Sequence, residues 1–246
     1  MEPVEISLCL SNDEEPTHFW SVVDKAGPAQ VLKIAWEHAW AEILKFALYK
    51  IGPDVSQVGA PLVGDLLSMG ALRPFSDREI DAMGGAAAFH PASWKSSRRV
   101  DEEQVWAIPW LADPYVVYYW RDMLEQAGVD EQPAFQTFER MEDTLEHLRA
   151  SGIATPWGLA TGDTLHTLRP AVMWIWGAGG DLFSPDSKHV VFHQPAALAG
   201  LQACYSLHRY MPMDGPLSPL RLHEMFARRQ IAAMIGNLPA LGSIVS

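Results

Sequence analysis

The sequence predicts an α/β fold of two lobes, and three observations carry that prediction. Short apolar, strand-like runs alternate with amphipathic helical segments from the first residues onward, the pattern of a mostly parallel sheet covered by helices on both faces. The connections are tight and punctuated by Gly and Pro, as at Gly27-Pro28, Gly52-Pro53 and Gly128. Near Ile108–Pro114 this series ends and a second one begins, so the 246 residues divide into an N-terminal lobe over 1–111 and a second lobe over 112–246.

The elements follow in order. Val4–Leu10 places Ile6, Leu8 and Leu10 on one side, a strand by its period of two. Pro16 opens a helix carrying Phe19, Trp20, Val22 and Val23, which stops near Gly27-Pro28. Val31–Ala35 is a second strand. From Trp36 to Tyr49 the residues Trp36, Trp40, Ile43, Leu44, Ala47 and Leu48 recur at helical spacing, and Gly52-Pro53 ends that helix. Asp54–Val58 is a third strand, and Pro61–Met69 and Asp77–Met83 are helices. Ala82–Arg99, rich in small residues, reads as loop. Gln104–Trp110 and Tyr115–Tyr119 read as two strands around Asp113-Pro114, a hinge whose few residues absorb a rotation. The second lobe then offers helices at Arg121–Gln126, Ala134–Ala150, Leu165–Trp176, Pro195–Tyr210 and Leu222–Arg229. Its strands are Trp157–Ala160 and Ile231–Ile235, the latter ending in Gly236-Asn237.

Composition narrows the function. A formal charge of −12 argues against nucleic acid, because tracking phosphates needs a basic stripe. The basic cluster Lys95, Arg98 and Arg99 reads as a solvated loop. With 48% hydrophobic residues the chain buries a full core. Cys9 and Cys204 sit in apolar runs and read as small buried hydrophobes, not a disulfide framework. No run approaches the roughly 18 to 20 apolar residues that span a bilayer. No signal peptide is visible ahead of the first strand, so either a leader was removed or the protein stays inside the cell.

Enzyme signatures are missing from the sequence. It contains no Gly-x-Ser-x-Gly elbow, P-loop, Cys-x-x-Cys or His-Glu-x-x-His, and Gly177-Ala178-Gly179-Gly180 lacks the spacing of a dinucleotide fingerprint. His189 and His193 flank an extended-looking Val190-Val191-Phe192, which would hold them roughly 13 Å apart, too far to share an ion. No metal and no cofactor are implied. Carboxylate runs such as Asp101-Glu102-Glu103 and Glu142-Asp143 lie in charged stretches and read as solvated faces.

In open parallel α/β sheets ligands bind outside the carboxyl ends of the strands. The polar or small residues at such places are Ser11, Asn12 and Asp13, then Gly59 and Ala60, then Ala112 and Asp113. In the second lobe they are Thr161–Thr164, the Gly177–Asp181 turn and Asn237. Ten tryptophans add possible apolar platforms for a sugar. Trp20, Trp40 and Trp174 lie on apolar helical faces and are expected in packing. Trp36, Trp110 and Trp176 lie at element ends, where a ligand-facing role is as reasonable as packing.

The order of motifs resembles the bacterial extracellular solute-binding proteins of ABC transporters, of the sugar-binding, maltose-binding-like type. Gly52-Pro53-Asp54-Val55 looks like that family's strand entry, and Leu66–Pro74 like its helix exit. Ile108-Pro109 with Tyr118-Tyr119-x-Arg121-Asp122 is similar to its hinge and Tyr-Tyr-Asn-Lys-Asp block. Pro133–Phe138, Trp176–Phe183 and Phe226–Asn237 resemble its Pro-x-Thr-Trp start, Gly-Gly-Asp turn and Ala-Ala-Met strand. The resemblance implies a periplasmic-binding-protein-like type II fold, two lobes joined by a strand hinge. It also implies a sugar-like solute bound between the lobes and passed to a membrane permease, an extracytoplasmic location, a monomer and no enzymatic activity. Ligand contacts fall on Asn12, Asp13, Gly59, Asp113 and Gly179-Gly180-Asp181, with Trp176 and Asn237 beside them; Asp113 is the leading candidate. Trp120 stands where the family has Asn, and Leu238-Pro239-Ala240-Leu241 lacks the Trp that sugar binders often carry after Asn237. The family continues beyond this point, so a C-terminally truncated chain without its second crossover is expected. A carbohydrate-acting α/β hydrolase and a non-transporting ligand sensor remain the alternatives.

Overall fold

Leu8 and Cys9 are neighbours on β1 (Val4–Leu10) and point to opposite faces of the sheet, yet both are buried, at 1% and 5% exposure. The strand therefore needs cover on both sides, and the βαβ connections around it supply that cover. The computed structural model describes residues 3–10, 19–99, 102–112, 114–162, 164–213 and 215–237. The chain falls into two compact units, Met1–Ala112 and Asp113–Ser246.

In the first unit β1 leads through α1 (Phe19–Ala26) to β2 (Ala29–Ala35), which pairs parallel with β1 along its length, from Val4↔Ala29 to Leu10↔Ala35. After α2 (Trp36–Tyr49) the chain returns to the other side of β1 as β3 (Val55–Ser56), giving the order β2-β1-β3. α2 sets Ala39 and Ile43 against Cys9 and Ile34, with Leu66 completing that core. It ends where Lys50 turns left-handed, at φ 53°, and donates its N–H back to the Phe46 carbonyl. Trp40, expected in packing, is 39% exposed. The sheet-facing side of α2 is already filled by Ala39 and Ile43, and Trp40 lies a further 100° around the helix from Ala39.

α3 (Leu62–Ser68) and α4 (Asp77–Ala82) follow; α4 is opened by a capping box in which the Ser76 hydroxyl and the Glu79 carboxylate each bond the other's backbone N–H. The stretch 82–99 is not the expected loop. It holds a 3-10 turn at Ala86–Ala88 and α5 (Pro91–Lys95), which starts on Pro91 and buries Trp94 in a stack on Phe89 at 5.1 Å. Nor does Gln104–Trp110 form the expected strand. Val105 makes one bridge, to Arg98, and the backbone groups around it bond Phe75 and Ser97 rather than a ladder.

The second unit opens with β4 (Tyr115–Tyr119) and α6 (Arg121–Gln126). α7 (Phe138–Ala150) begins four residues later than the sequence suggested, because the Thr137 hydroxyl caps it by accepting the Arg140 N–H. β5 (Trp157–Gly158), α8 (Thr164–Gly177) and α9 (Pro195–Ser206) come next, α9 running into a 3-10 turn at Leu207–Tyr210. α10 (Pro219–Ala227) and β6 (Ala233–Asn237) complete the unit. β6 lies in the middle of the second sheet, antiparallel to β4 and parallel to β5. Leu124, Leu145, Leu148, Trp157 and Tyr210 form the core beneath it, and Trp174 packs edge-on to Phe138 against that core, as expected of it.

Trp120 has a structural role in this unit. Its ring stacks on Phe226 at 5.0 Å, its indole N–H donates to the Phe226 carbonyl at 2.9 Å, and the Arg229 guanidinium lies over the ring, 4.5 Å from its centroid, while pairing with Asp122. The four residues fasten the end of α10 to the start of α6. Replacing Trp120→Leu keeps an apolar group but removes stack, hydrogen bond and cation–π contact. The expected cost is about 2 kcal/mol, read as a lowered urea midpoint with an unchanged slope.

Candidate functional site

In the first unit, the order β2-β1-β3 creates a switch point. The chain leaves β1 toward one side for β2 and crosses back to the other for β3, the arrangement beside which open α/β sheets place their ligands, past the carboxyl ends of the strands. Gly59 sits three residues past β3 at this edge. Trp36 begins α2 immediately after β2, on the far side of β1, yet its ring reaches Gly59: a β-carbon added to Gly59 would lie 3.5 Å from the tip of the indole. Trp36 remains 45% exposed. At the start of α1, Phe19 meets Trp110 edge-on at 6.0 Å, and Trp110 is half exposed. The edge thus presents apolar rings beside a bare glycine backbone, the composition that suits a sugar's C–H face. Asn12, Asp13 and Asp113 lie outside the described residues.

The second unit has a corresponding edge. The antiparallel register pairs Tyr115, the first residue of β4, with Asn237, the last of β6, and β5 ends on the same side. Tyr118 donates its hydroxyl to the Asn237 carbonyl at 2.9 Å. Arg169, from α8, donates to the Tyr115 hydroxyl at 3.2 Å and is half-buried. Thr161, beyond β5, is tied to Leu217 by two hydrogen bonds, Thr161 N to Leu217 O at 2.8 Å and Leu217 N to the Thr161 hydroxyl at 3.1 Å. The Arg169–Tyr115 pair was missed in the sequence. Its signal was there to read: Arg169 is the one Lys, Arg, Asp or Glu in Thr164–Gly177, and a lone charge on an apolar helix needs a polar destination.

The Trp176–Asp181 turn is built differently. The Trp176 indole N–H donates to the Asp181 carboxylate at 3.1 Å, and the same oxygen accepts the Leu182 N–H at 2.7 Å. Gly179 is left-handed at φ 78°, while a β-carbon on Gly180 would lie 2.5 Å from the Ala197 nitrogen. Gly180 is therefore required by the packing of this turn on the first turn of α9. α8 rises about 20 Å over its fourteen residues, so the turn lies at the other end of the helix from its start beside β5.

Among the described residues no group of three His, Cys, Asp or Glu side chains is placed to hold a metal ion. No helix there is long and apolar enough to cross a membrane. Among the described residues, the carboxylates displaced from their usual range move downward. Arg73 and Ser76 pull Glu79 to about 2, Arg229 lowers Asp122, Arg121 lowers Glu131, and the Tyr210 hydroxyl lowers Glu146. A catalytic general acid needs the opposite displacement. These groups are surface partners of arginines and hydroxyls.

Comparison with known proteins adds to this geometry. None of the curated proteins compared with the chain matches it. Among solved structures, the fold is similar to an ABC transporter solute-binding protein from Thermotoga lettingae bound with α-D-tagatose, at 19% identity and a TM-score of 0.75, covering 99% of this chain and 64% of that one. It is similar to the sugar-binding protein MalE of Xanthomonas citri at 15% identity and a TM-score of 0.78, covering 99% and 62%. A sugar transporter protein from Arthrobacter chlorophenolicus with bound laminaribiose matches at 15% identity and a TM-score of 0.72, covering 100% and 63%. The chain thus spans somewhat under two thirds of the length of these proteins, and at such identities the likeness establishes the two-lobed periplasmic-binding-protein-like fold. Residues 45–212, more than half of the sequence, match the bacterial extracellular solute-binding proteins, and the chain belongs to that family.

Proposed function

We propose that the chain captures a sugar or oligosaccharide outside the cytoplasm and delivers it to an ABC transporter permease, as a binding protein without catalytic turnover. The observation that carries this reading is the first unit's carboxyl edge, where Trp36 lies across Gly59 at the switch point of a sheet in a chain of this family. Family membership supports the class of activity, and the sugars named for two of the similar structures, with the sugar-binding description of the third, support the class of ligand. In this reading the first unit supplies an aromatic platform, with Asn12 and Asp13 accepting hydroxyl protons, and Asp113 at the start of the second unit does the same. The second supplies donors from Arg169 and Tyr115 beside Asn237. Trp176, Gly179, Gly180 and Asp181 are proposed to support this edge through α8 and α9 rather than to contact the ligand.

Titration of the chain with mono- and oligosaccharides, followed by tryptophan fluorescence and thermal shift, tests the reading. Polyols and amino acids serve as controls. A saturable response to a sugar, lost in Asp113→Ala and Arg169→Ala variants of unchanged stability, is the expected result. A folded chain silent across the panel, or a sugar consumed during the titration, would count against it.

A further inference from the structure

A guanidinium is permanently charged, and one drawn partly out of water needs a partner that replaces its lost hydration. Most arginines of the second unit have such a partner. Arg121, Arg149, Arg209, Arg221 and Arg229 each pair with a carboxylate. Arg140 and Arg228 are exposed, where water suffices. Arg169 fits neither group. It is half-buried, it stands on a helix with no other Lys, Arg, Asp or Glu, and among the described residues no carboxylate pairs with it. Its one described partner is the Tyr115 hydroxyl, at 3.2 Å.

This pair offers donors and a positive charge. The Tyr115 oxygen accepts an Arg169 N–H, so its own proton is left to give, and most of the guanidinium's N–H groups remain unspent among the described residues. The pair lies at the edge where β4 begins and β6 ends. A sugar hydroxyl would engage it with only the accepting half of its chemistry. A carboxylate accepts alone, takes two parallel N–H bonds from a guanidinium and brings the missing negative charge. We propose that the solute is an acidic sugar, a hexuronic acid or an oligosaccharide containing one, whose carboxylate lies against Arg169 and Tyr115. The proposal rests on the sugar-binding reading above and names the class of sugar. A phosphate ester, with about two charges and three acceptor oxygens, asks for more than a single guanidinium, whereas a carboxylate matches it charge for charge. The chain's formal charge of −12 repels an anion at long range. At physiological salt that repulsion is screened beyond about 8 Å, so the local contact decides.

Isothermal titration with sugars matched except for the charged group tests the proposal: D-galacturonate against D-galactose, D-glucuronate against D-glucose, and trigalacturonate against its methyl ester. The acid of at least one pair should bind at least tenfold more tightly than its neutral partner. Arg169→Gln keeps an amide donor and removes the charge. It should weaken that acid at least tenfold and change the neutral sugar by less than about threefold. Arg169→Lys, charged but without the planar fork, should keep part of the preference, and Tyr115→Phe should weaken the acid about three- to tenfold. Circular dichroism and melting temperature check that each variant is folded. Neutral sugars that bind as tightly as their acids overturn the proposal and leave the sugar-binding reading standing. A preference for the acid that survives Arg169→Gln overturns the assignment to this pair. Tight binding of lactate or succinate, which lack a sugar ring, or of glucose 6-phosphate in preference to glucuronate overturns the class of solute. Silence of the folded chain toward every sugar overturns the proposal together with the reading beneath it.

Discussion

Gly200→Val is expected to unfold the second unit's helical layer at a cost above about 3 kcal/mol. Gly200 lies in the middle of α9, where glycine by itself is about 1 kcal/mol worse than alanine, so its presence needs a reason. The reason is the backbone of α8. A β-carbon at Gly200 would meet the Trp174 carbonyl and would lie 2.7 Å from the Ile175 α-carbon. Those atoms cannot give way cheaply, because Ile175 is 2% exposed and Trp174 is held against Phe138 in the core. The helices must therefore move apart, and the first turn of α9, pinned under Gly180, resists that motion. Even Gly200→Ala should cost about 2 kcal/mol despite its better helix propensity. Urea unfolding followed by tryptophan fluorescence measures both variants. Wild-type stability in either would mean that α8 and α9 do not approach as closely as described.

This glycine also shows what could be read from the sequence and what could not. β1 and α2 have the bounds that periodicity predicts, Val4–Leu10 and Trp36–Tyr49. Their signals are local: a period of two flanked by polar residues, and a period of 3.6 closed by Gly-Pro. Gln104–Trp110 looks the same locally but makes a single bridge, since a ladder depends on a partner strand and the backbone of Phe75 and Ser97 took its hydrogen bonds instead. Periodicity likewise marks Trp40 as apolar without saying which surface covers it, so it was expected in packing, yet it is 39% exposed. Gly179-Gly180-Asp181 was legible as a motif, but its meaning depends on Ala197, sixteen residues or more away. The candidate site divides in the same manner. Gly59 and Asn237 follow from the rule for strand ends, whereas the Arg169–Tyr115 pair joins residues 54 apart and appears only once the sheet is assembled.

Trp36→Ala and Trp40→Ala, one helical turn apart, should separate a ligand-facing role of α2 from a purely structural one. In the proposed function Trp36 supplies the platform on which a sugar ring rests, with Gly59 beneath it leaving no side chain in the way. Its loss removes a stacking surface worth about 1.5–3 kcal/mol. That corresponds to a roughly tenfold to hundredfold weaker affinity for the sugar that the titration identifies. Folding should change by less than that, because the ring is 45% exposed and the core contacts of α2 are made by Ala39 and Ile43. Gly59→Val should act in the same direction: its β-carbon would only touch the indole, at 3.5 Å, but the γ-carbons beyond it would take up space beside the ring that a ligand needs. Trp40→Ala should leave sugar affinity within about twofold. Isothermal titration of the three variants decides the matter. Equal losses of affinity at Trp36 and Trp40 would show that the effect passes through the stability of α2, and the platform would have to be sought at Trp110.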